Sequence, residues 1–238
     1  MSENTEKAAE QTAKPAPKKA MTRGRIVAAV VVAVVIVAGC GMFAWHNSPS
    51  FCSAFCHTPM NNYVETYGQQ AGAPGTDKWG NEVSNSSAML VVSHKEAGQN
   101  CLSCHEPIIS QQIGEVQATL TGDYYYPLEE ANLEVLMQNS GNDAGTGEQF
   151  CLKSGCHVNS EGQALTKADL TEMTSDMERN PHSWHHDKYT CSDCHKSHRA
   201  SVLICTDCHA DAESEVPDGW VDAKTGKQIE EDSVNYMG

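Results

Sequence analysis

Residues 180–209, NPHSWHHDKYTCSDCHKSHRASVLICTDCH, decide how this chain folds. They contain the pattern C-x-x-C-H twice, as Cys191/Cys194/His195 and as Cys205/Cys208/His209. This pattern is the attachment signature of c-type haem: the two thiols form thioethers with the vinyl groups, and the histidine becomes the proximal iron ligand. Three further histidines in the stretch are candidates for the sixth iron position: His182, His185 and His198.

The same grouping occurs three more times upstream. CLSCH has the standard spacing, CSAFCH has three residues between its cysteines, and CLKSGCH has four. A slightly longer loop still places two sulfurs beside two vinyl groups. The residues are Cys101/Cys104/His105, Cys52/Cys56/His57 and Cys151/Cys156/His157. Ten of the eleven cysteines therefore fall into five units, which predict five covalently bound haems.

Two other uses of paired cysteines compete with haem. Zinc is held by thiolates at similar spacings, and exported cysteine-rich chains use disulfides. Neither requires a histidine directly after the second cysteine of every pair. With 11 histidines in 238 residues, five such placements by chance are improbable.

The composition is poor material for an ordinary apolar core. Aromatic residues make up 6% of the chain, and its mean hydropathy is −0.46. Five porphyrins would supply the missing apolar volume. We therefore expect a mostly α fold with extensive irregular loop, whose core is the haems. Helices are predicted at 128–137 and 166–178, the second with a capping box between Thr166 and Asp169, and loops at 61–92 and 139–147.

An uncharged stretch at 26–45, IVAAVVVAVVIVAGCGMFAW, is long enough to span a bilayer as one helix. Six basic residues precede it, and no Lys or Arg occurs from residue 26 to residue 77. The positive-inside rule then places the N-terminus in the cytoplasm and the remainder outside, on the extracytoplasmic side. A lipoprotein with Cys40 as the modified residue and a secreted protein with a cleaved signal are the alternatives.

The predicted organisation has four parts. Residues 1–25 form a disordered cytoplasmic tail, 26–45 a transmembrane anchor, 46–210 a pentahaem cytochrome c domain, and 211–238 an acidic C-terminal tail. After residue 25 the chain has 10 basic and 28 acidic residues, a net charge of −18. That sign disfavours nucleic acid as a partner and favours steering toward a basic docking face.

Candidate sixth ligands follow from counting the histidines outside the motifs. His94, which precedes the CLSCH motif, is a candidate, whereas His46 lies at the predicted membrane boundary and is expected to be interfacial. On a helix His186 points about 100° away from His185, so both are not expected to ligate. Met60 follows His57 by three residues, and it either ligates the first haem or packs. The first haem is then Met-ligated or open.

The N-terminal part resembles the membrane-anchored quinol dehydrogenases of the NapC/NirT family. The shared features are the single anchor, the haem motif directly after it, the following Met, and a His-Lys…Gly…C-x-x-C-H-x-Pro run from His94 to Pro107. The chain departs from that family in the extra residue between Cys52 and Cys56 and in the later position of Met60. The resemblance implies menaquinol as electron donor.

From residue 180 onward the chain resembles the tetrahaem domains of flavocytochrome c fumarate reductases and small tetrahaem cytochromes. Those carry N-P-H-x-x-H, then C-x-x-C-H-x-x-H, then C-x-x-C-H, matched here from Asn180 to His209. The resemblance implies that His182, His185 and His198 complete bis-His haems. No flavin-binding fingerprint is present, so a flavoprotein partner would be a separate chain.

Closely spaced haems predict electron transfer. The leading hypothesis is a multihaem cytochrome that passes electrons from menaquinol in the membrane to an extracytoplasmic reductase, a flavoprotein of the fumarate-reductase type. Alternatives are a subunit that donates to a haem nitrite reductase, a passive conduit without quinol chemistry, and an enzyme with an open haem. The last fits less well because the sequence supplies nearly enough ligands to fill every iron.

Overall fold

The computed structural model describes residues 22–55, 57–106, 108–124, 130, 133, 137, 146–153, 155–183 and 188–235, with the backbone alone at 55, 57–59, 234 and 235. Its contacts divide the chain into two units, Met1–Phe43 and Ala44–Gly238. Of the predicted tail at 1–25, residues 1–21 lie outside the described residues. The predicted helix at 128–137 and loop at 139–147 lie mostly outside them as well.

A single long helix, α1, runs over Arg23–His46. It is apolar on all sides and none of its side chains is buried, as is typical of a helix surrounded by lipid. By length and composition it is a candidate membrane span. The Ser48 hydroxyl donates to the Trp45 carbonyl over 2.7 Å, which satisfies one of the carbonyls at its C-terminal end.

The second unit is built from short helices joined by irregular chain. The helices are α2 Pro49–Phe55, α3 His57–Gly68, α4 Leu90–Glu96, α5 Cys101–Cys104, α6 Ile109–Thr121, α7 Gly147–Cys151, α8 Lys167–Met173, α9 Cys191–Cys194 and α10 Ala223–Asn235. Single 3-10 segments lie at Ser86–Ala88, Ile204–Asp207 and Ala210–Glu215. The predicted class, mostly α with extensive irregular loop, is confirmed.

Two pairs of two-residue strands complete the secondary structure. Strands β1 (Gly75–Thr76) and β2 (Glu82–Val83) pair antiparallel, and β3 (Val202–Leu203) pairs parallel with β4 (Val221–Asp222). The second pair joins the segment between the last two haem motifs to the chain that follows them.

Local hydrogen bonds explain why several cysteine motifs begin as short helices. Asn100 forms a capping box at the start of α5, directly before the second motif. Thr146 forms one at the start of α7, which ends at Cys151, the first cysteine of the third motif. Before α9 the Thr190 N–H donates to the Asp193 carboxylate over 2.7 Å. The capping box predicted between Thr166 and Asp169 is confirmed, although α8 ends at Met173 rather than at residue 178.

A small apolar core lies in the stretch that the sequence predicted as loop. Val83, Ala88, Met89 and Val92 are buried together with Ala200. The prediction of loop at 61–92 was wrong, because this stretch contains most of α3, both strands of the hairpin and this core. Its apolar residues follow neither helical nor strand periodicity, since they bury against a segment distant in sequence.

Main-chain hydrogen bonds hold that core to the residues after the fourth haem motif. The Leu90 N–H donates to Lys196 over 2.9 Å, and the Lys78 N–H donates to His198 over 2.9 Å. The Ser201 hydroxyl donates to the Ala88 carbonyl over 2.6 Å. Residues 196–201 are therefore fixed in place by chain more than a hundred positions earlier.

The residues after His209 are ordered onto the same unit as far as they are described. Strand β4 pairs with β3, and α10 packs on Val202. The close approach depends on Gly226, where a Cβ would lie 2.8 Å from a Val202 methyl. The stretch expected to be an acidic tail thus covers the fourth and fifth motifs.

Candidate haem-binding site

The attachment cysteines of successive motifs lie next to each other. The Cys101 thiol donates to Cys52 and holds the pKa of Cys52 down to about 7. Cys151 and Cys191 are hydrogen-bonded in the same way. Lys153, between the cysteines of the third motif, pairs with Glu106, which directly follows the second motif, and the Cys194 thiol is hydrogen-bonded to the main chain of Ile204, next to Cys205. Motifs one to five therefore form a series in chain order; Cys56 lies outside the described residues.

These thiols are not arranged as a zinc centre. Within the described ranges, no three or more His, Cys, Asp or Glu side chains converge on a point where one metal ion could bind. Burial raises the pKa of Cys194 to about 11 and also raises that of Cys205. Zinc requires thiolates, whereas thioether formation leaves neutral sulfurs, so this setting suits haem attachment better.

Cys208, the second predicted attachment cysteine of the fifth motif, is exposed rather than enclosed by the protein chain. It follows directly after the second 3-10 segment, and its N–H donates to the Cys205 carbonyl over 3.2 Å. This tight turn keeps the two cysteines of the motif together at the surface of the unit. Cys104 and Cys156, also second in their motifs, are exposed as well. The sequence did not predict this exposure, and thioether formation at Cys208 stays a prediction.

Two pairs of candidate ligands face each other at a separation that fits an iron between them. The ring centres of His182 and His195 are 6.4 Å apart with planes 3° from parallel, and those of His94 and His157 are 6.0 Å apart at 85°. A metal–imidazole bond is about 2 Å long and the ring centre lies about 1 Å beyond it, so two opposed ligands have centres about 6 Å apart. These residues fit a haem with two axial histidines.

A third pair is His105 and His198. His105 is the first of the charged groups that act on His198, and the pairing of the two rings at one iron stays a prediction. Burial lowers the pKa of His198 to about 3 and that of His195 to about 4. Both imidazoles are thus neutral at ordinary pH, with a lone pair available for a metal.

Each described sixth-ligand candidate is held by its Nδ1 atom. His94 Nδ1 donates to the Leu90 carbonyl over 2.7 Å, and His198 Nδ1 lies 2.7 Å from the Thr66 hydroxyl. His182 Nδ1 lies 3.2 Å from the Thr174 hydroxyl. Hydrogen bonds to the nitrogen that does not bind the metal fix the orientation of the ring and leave Nε2 for the metal.

Of the remaining predicted ligands, Met60 and His209 are described, His57 is described by its backbone alone, and His185 is not described. Met60 is half-buried on α3, one turn after His57, whose side chain is not described. His209 is half-buried at the start of the last 3-10 segment, and His185 lies outside the described residues. His46, expected to be interfacial, has its Nε2 atom 3.2 Å from Gln112 Nε2 on α6.

Sequence reasoning missed two further features of this site. Trp220 packs edge-on against His195 with ring centres 5.1 Å apart, although it lies in a stretch to which no chemistry was assigned. A buried charge cluster around Arg199 was also missed. Sequence pointed to this cluster only through Arg199, the basic residue that follows the C-x-x-C-H-x-x-H pattern. A basic residue on the surface would look the same in the sequence.

Five attachment motifs in series with opposed histidines define a class of protein, the multihaem c-type cytochromes. The family described as Cytochrome c3 matches residues 93–210. The chain belongs to this class, and it carries covalently bound c-type haem and transfers electrons.

The chain is also similar to the cytochrome c-type protein Cgr1 of Eggerthella lenta. It is 52% identical over 207 residues, which cover 87% of this chain and 90% of that protein. No solved structure matches the chain.

Proposed function

We propose that the chain is a pentahaem cytochrome, anchored in the membrane, that carries electrons from menaquinol to a reductase outside the cytoplasm. The observation that carries this proposal is the order of the attachment sites. Cys52 follows the membrane-span candidate closely in sequence and contacts Cys101 of the second motif, and each later motif contacts the next directly or through an adjoining residue. Electrons entering beside the membrane would have a continuous path to the fifth haem.

The ligand pairs suit this task. His94 with His157, His182 with His195, and His198 with His105 would each supply both histidine ligands of one haem iron, and such an iron would change little in geometry on reduction. His185 completes the haem at His209, as the tetrahaem resemblance implies. The first haem, at His57, remains distinct, being Met60-ligated or open. A distinct haem next to the membrane leaves room for a bound quinol.

Helix α6 supports access to menaquinol at this end. Ile109, Ile113 and Leu120 lie on one face and are 76%, 63% and 82% exposed. Spacings of four and seven residues keep them within one narrow stripe. The same helix contacts His46, which directly follows the apolar stretch in sequence.

The acceptor is proposed from the resemblance beyond residue 180 and from charge. A flavoprotein of the fumarate-reductase type, a separate chain, would dock on the acidic domain through a basic face. Placement of this domain outside the cytoplasm rests on the six basic residues before the anchor and the absence of Lys and Arg from 26 to 77.

The deciding experiment uses the full matured protein in liposomes with a water-insoluble menaquinol analogue. Haem absorption should show reduction by the quinol, and dithionite should then reduce the remainder. Reduction by dithionite together with no reduction by the quinol would make the protein a passive conduit. Turnover of nitrite with an artificial donor would instead favour an enzyme with an open haem.

A further inference from the structure

A buried cluster of charges lies beside the candidate ligand His198. The Arg199 side chain is 1% exposed, and its Nε atom lies 2.8 and 3.0 Å from the two Glu130 oxygens. Lys196 and Lys78 approach the same carboxylate at 3.2 and 3.5 Å. Arg199 Nη2 also pairs with Glu230.

The cluster has more positive than negative charge. Burial alone would raise the pKa of Glu130, but the hydrogen bond and charge of Arg199 and the charges of both lysines bring it down to about 2. Glu130 is therefore ionised, and the ion pairs of the cluster join two carboxylates to three basic side chains. Lys78 is itself buried, with its side chain 8% exposed.

One donor in the cluster has no acceptor. Arg199 Nη1 is buried and makes no hydrogen bond within the part of the chain that the structure describes. Leaving a buried donor unpaired costs about 1–3 kcal/mol, and more for a charged group. The excess of basic side chains and the unpaired Arg199 Nη1 together indicate a site for an anion. Such a site stands out in a chain whose own net charge is −15.

The position of the cluster indicates which anion. Lys196 and Arg199 adjoin the candidate ligands His195 and His198 in sequence. Lys78 donates its N–H to the His198 carbonyl over 2.9 Å, and its ammonium lies 5.6 Å from the centre of the Tyr63 ring, which packs on His198 at 5.0 Å. Each haem bears two propionates.

We propose that this cluster binds a propionate of the haem whose iron is ligated by His198, with the carboxylate accepting from Arg199 Nη1. The inference rests on the proposed ligation by His198 but not on the quinol chemistry. Arg199 would then position the propionate, and its charge would also affect the reduction potential of that haem. Positive charge beside a haem disfavours the oxidised iron, which carries one more positive charge than the reduced iron.

The test is a spectroelectrochemical titration of the matured full-length protein, without quinol. Arg199→Gln should lower the potential of one haem, and Glu130→Gln should raise the potential of the same haem. Arg199→Lys should keep the potential close to that of the parent. Arg179→Gln is the matched control for the haem at His198, because Arg179 pairs with Asp211 near the fifth motif rather than with the Arg199 cluster, and the substitution removes the same charge.

Resonance Raman spectra provide the second readout, since the propionate bending mode reports hydrogen bonding to the carboxylate. That mode should shift in Arg199→Gln and stay unchanged in Arg179→Gln. A common potential shift in all haems, shifts of the same sign in Arg199→Gln and Glu130→Gln, or an unchanged propionate mode would overturn the proposal. If Arg199→Gln fails to mature, Glu130→Gln and Arg199→Lys decide by the same two readouts.

Discussion

At the scale of single residues, the histidines combine two functions in one ring. Nδ1 is tethered by Thr66, Thr174 or the Leu90 carbonyl, so Nε2 is aimed without a cost in ring freedom when metal binds. The partner of each ring comes from a different haem motif or from chain outside the motifs.

The angles between imidazole planes predict two kinds of EPR signal. Nearly parallel planes, as for His182 and His195 at 3°, give a rhombic low-spin signal, whereas nearly perpendicular planes, as for His94 and His157 at 85°, give a highly anisotropic one. His94→Ala should remove the anisotropic signal, and His182→Ala a rhombic one. Loss of a rhombic signal in His94→Ala would show that the ligand pairs are assigned wrongly.

Glu130 predicts a dependence of stability on pH. Its folded-state pKa of about 2 lies below the unfolded value, so its contribution is present above about pH 4.3 and is lost as pH falls toward 2. The contribution amounts to at most about 3 kcal/mol. Denaturant unfolding of the parent and Glu130→Gln should show a difference at pH 6 that shrinks steadily below pH 4.

Glu148→Gln is the control for that measurement, because Glu148 pairs with Lys167 at 4.0 Å and its side chain is 42% exposed, so its charge is largely screened. Its effect should be small at every pH. A difference between the parent and Glu130→Gln that stays constant from pH 6 to pH 2.5 would contradict the ionised, paired state of Glu130.

Residue roles differed in how far sequence could predict them. Attachment motifs could be read directly because the covalent chemistry requires a fixed order of residue types over a few positions. The exposure of Cys208 could not be read from its motif, since a motif specifies residue types and not what the remote chain covers. The role of Arg199 could not either, since its partners Glu130 and Glu230 lie 69 and 31 positions along the chain. Charge clusters formed by folding leave no local pattern.

At the scale of elements, very short helices present the cysteines. Helices α5 and α9 are four residues long, below the length at which a helix is stable alone. Capping interactions and packing of neighbouring motifs stabilise them, and a thioether bond at each end would add to this. The capping box at Thr166 was predictable from local spacing, whereas the core within 61–92 was not, because its partner Ala200 is remote.

The exposed stripe on α6 predicts an effect on quinol oxidation. Replacing Ile109, Ile113 and Leu120 with Ser should slow reduction by a menaquinol analogue in liposomes by roughly tenfold or more, since burying each apolar side chain is worth about 1.5–3 kcal/mol. Dithionite reduction should be unchanged. Met173→Ser on α8 is the control, because Met173 is 67% exposed but lies away from any contact seen with His46.

Equal slowing by Met173→Ser, or an unaffected quinol rate in the triple variant, would remove α6 from the site of quinol access. The stripe would then serve another purpose.

At the scale of the whole molecule, the acidic domain predicts a salt-dependent reaction with its acceptor. After residue 25 the net charge is −18, and haem propionates add to it. Stopped-flow transfer to a flavoprotein of the fumarate-reductase type should slow as ionic strength rises from about 0.01 to 0.15 M, because the screening length falls from about 30 to 8 Å. A salt-independent rate would contradict steering by this charge.

The proposed electron path from the membrane to the fifth motif requires five covalent haems in one chain. Intact-mass spectrometry of the matured protein measures this directly, with Cys151→Ala/Cys156→Ala as a control that should lose a single haem. We expect the mass of the chain plus five haems, because each of the five Cys-pair-His units is predicted to attach one. A mass with three haems would show that the motifs at Cys52/Cys56 and Cys151/Cys156 do not attach haem. The path from the membrane to the last haem would then be broken.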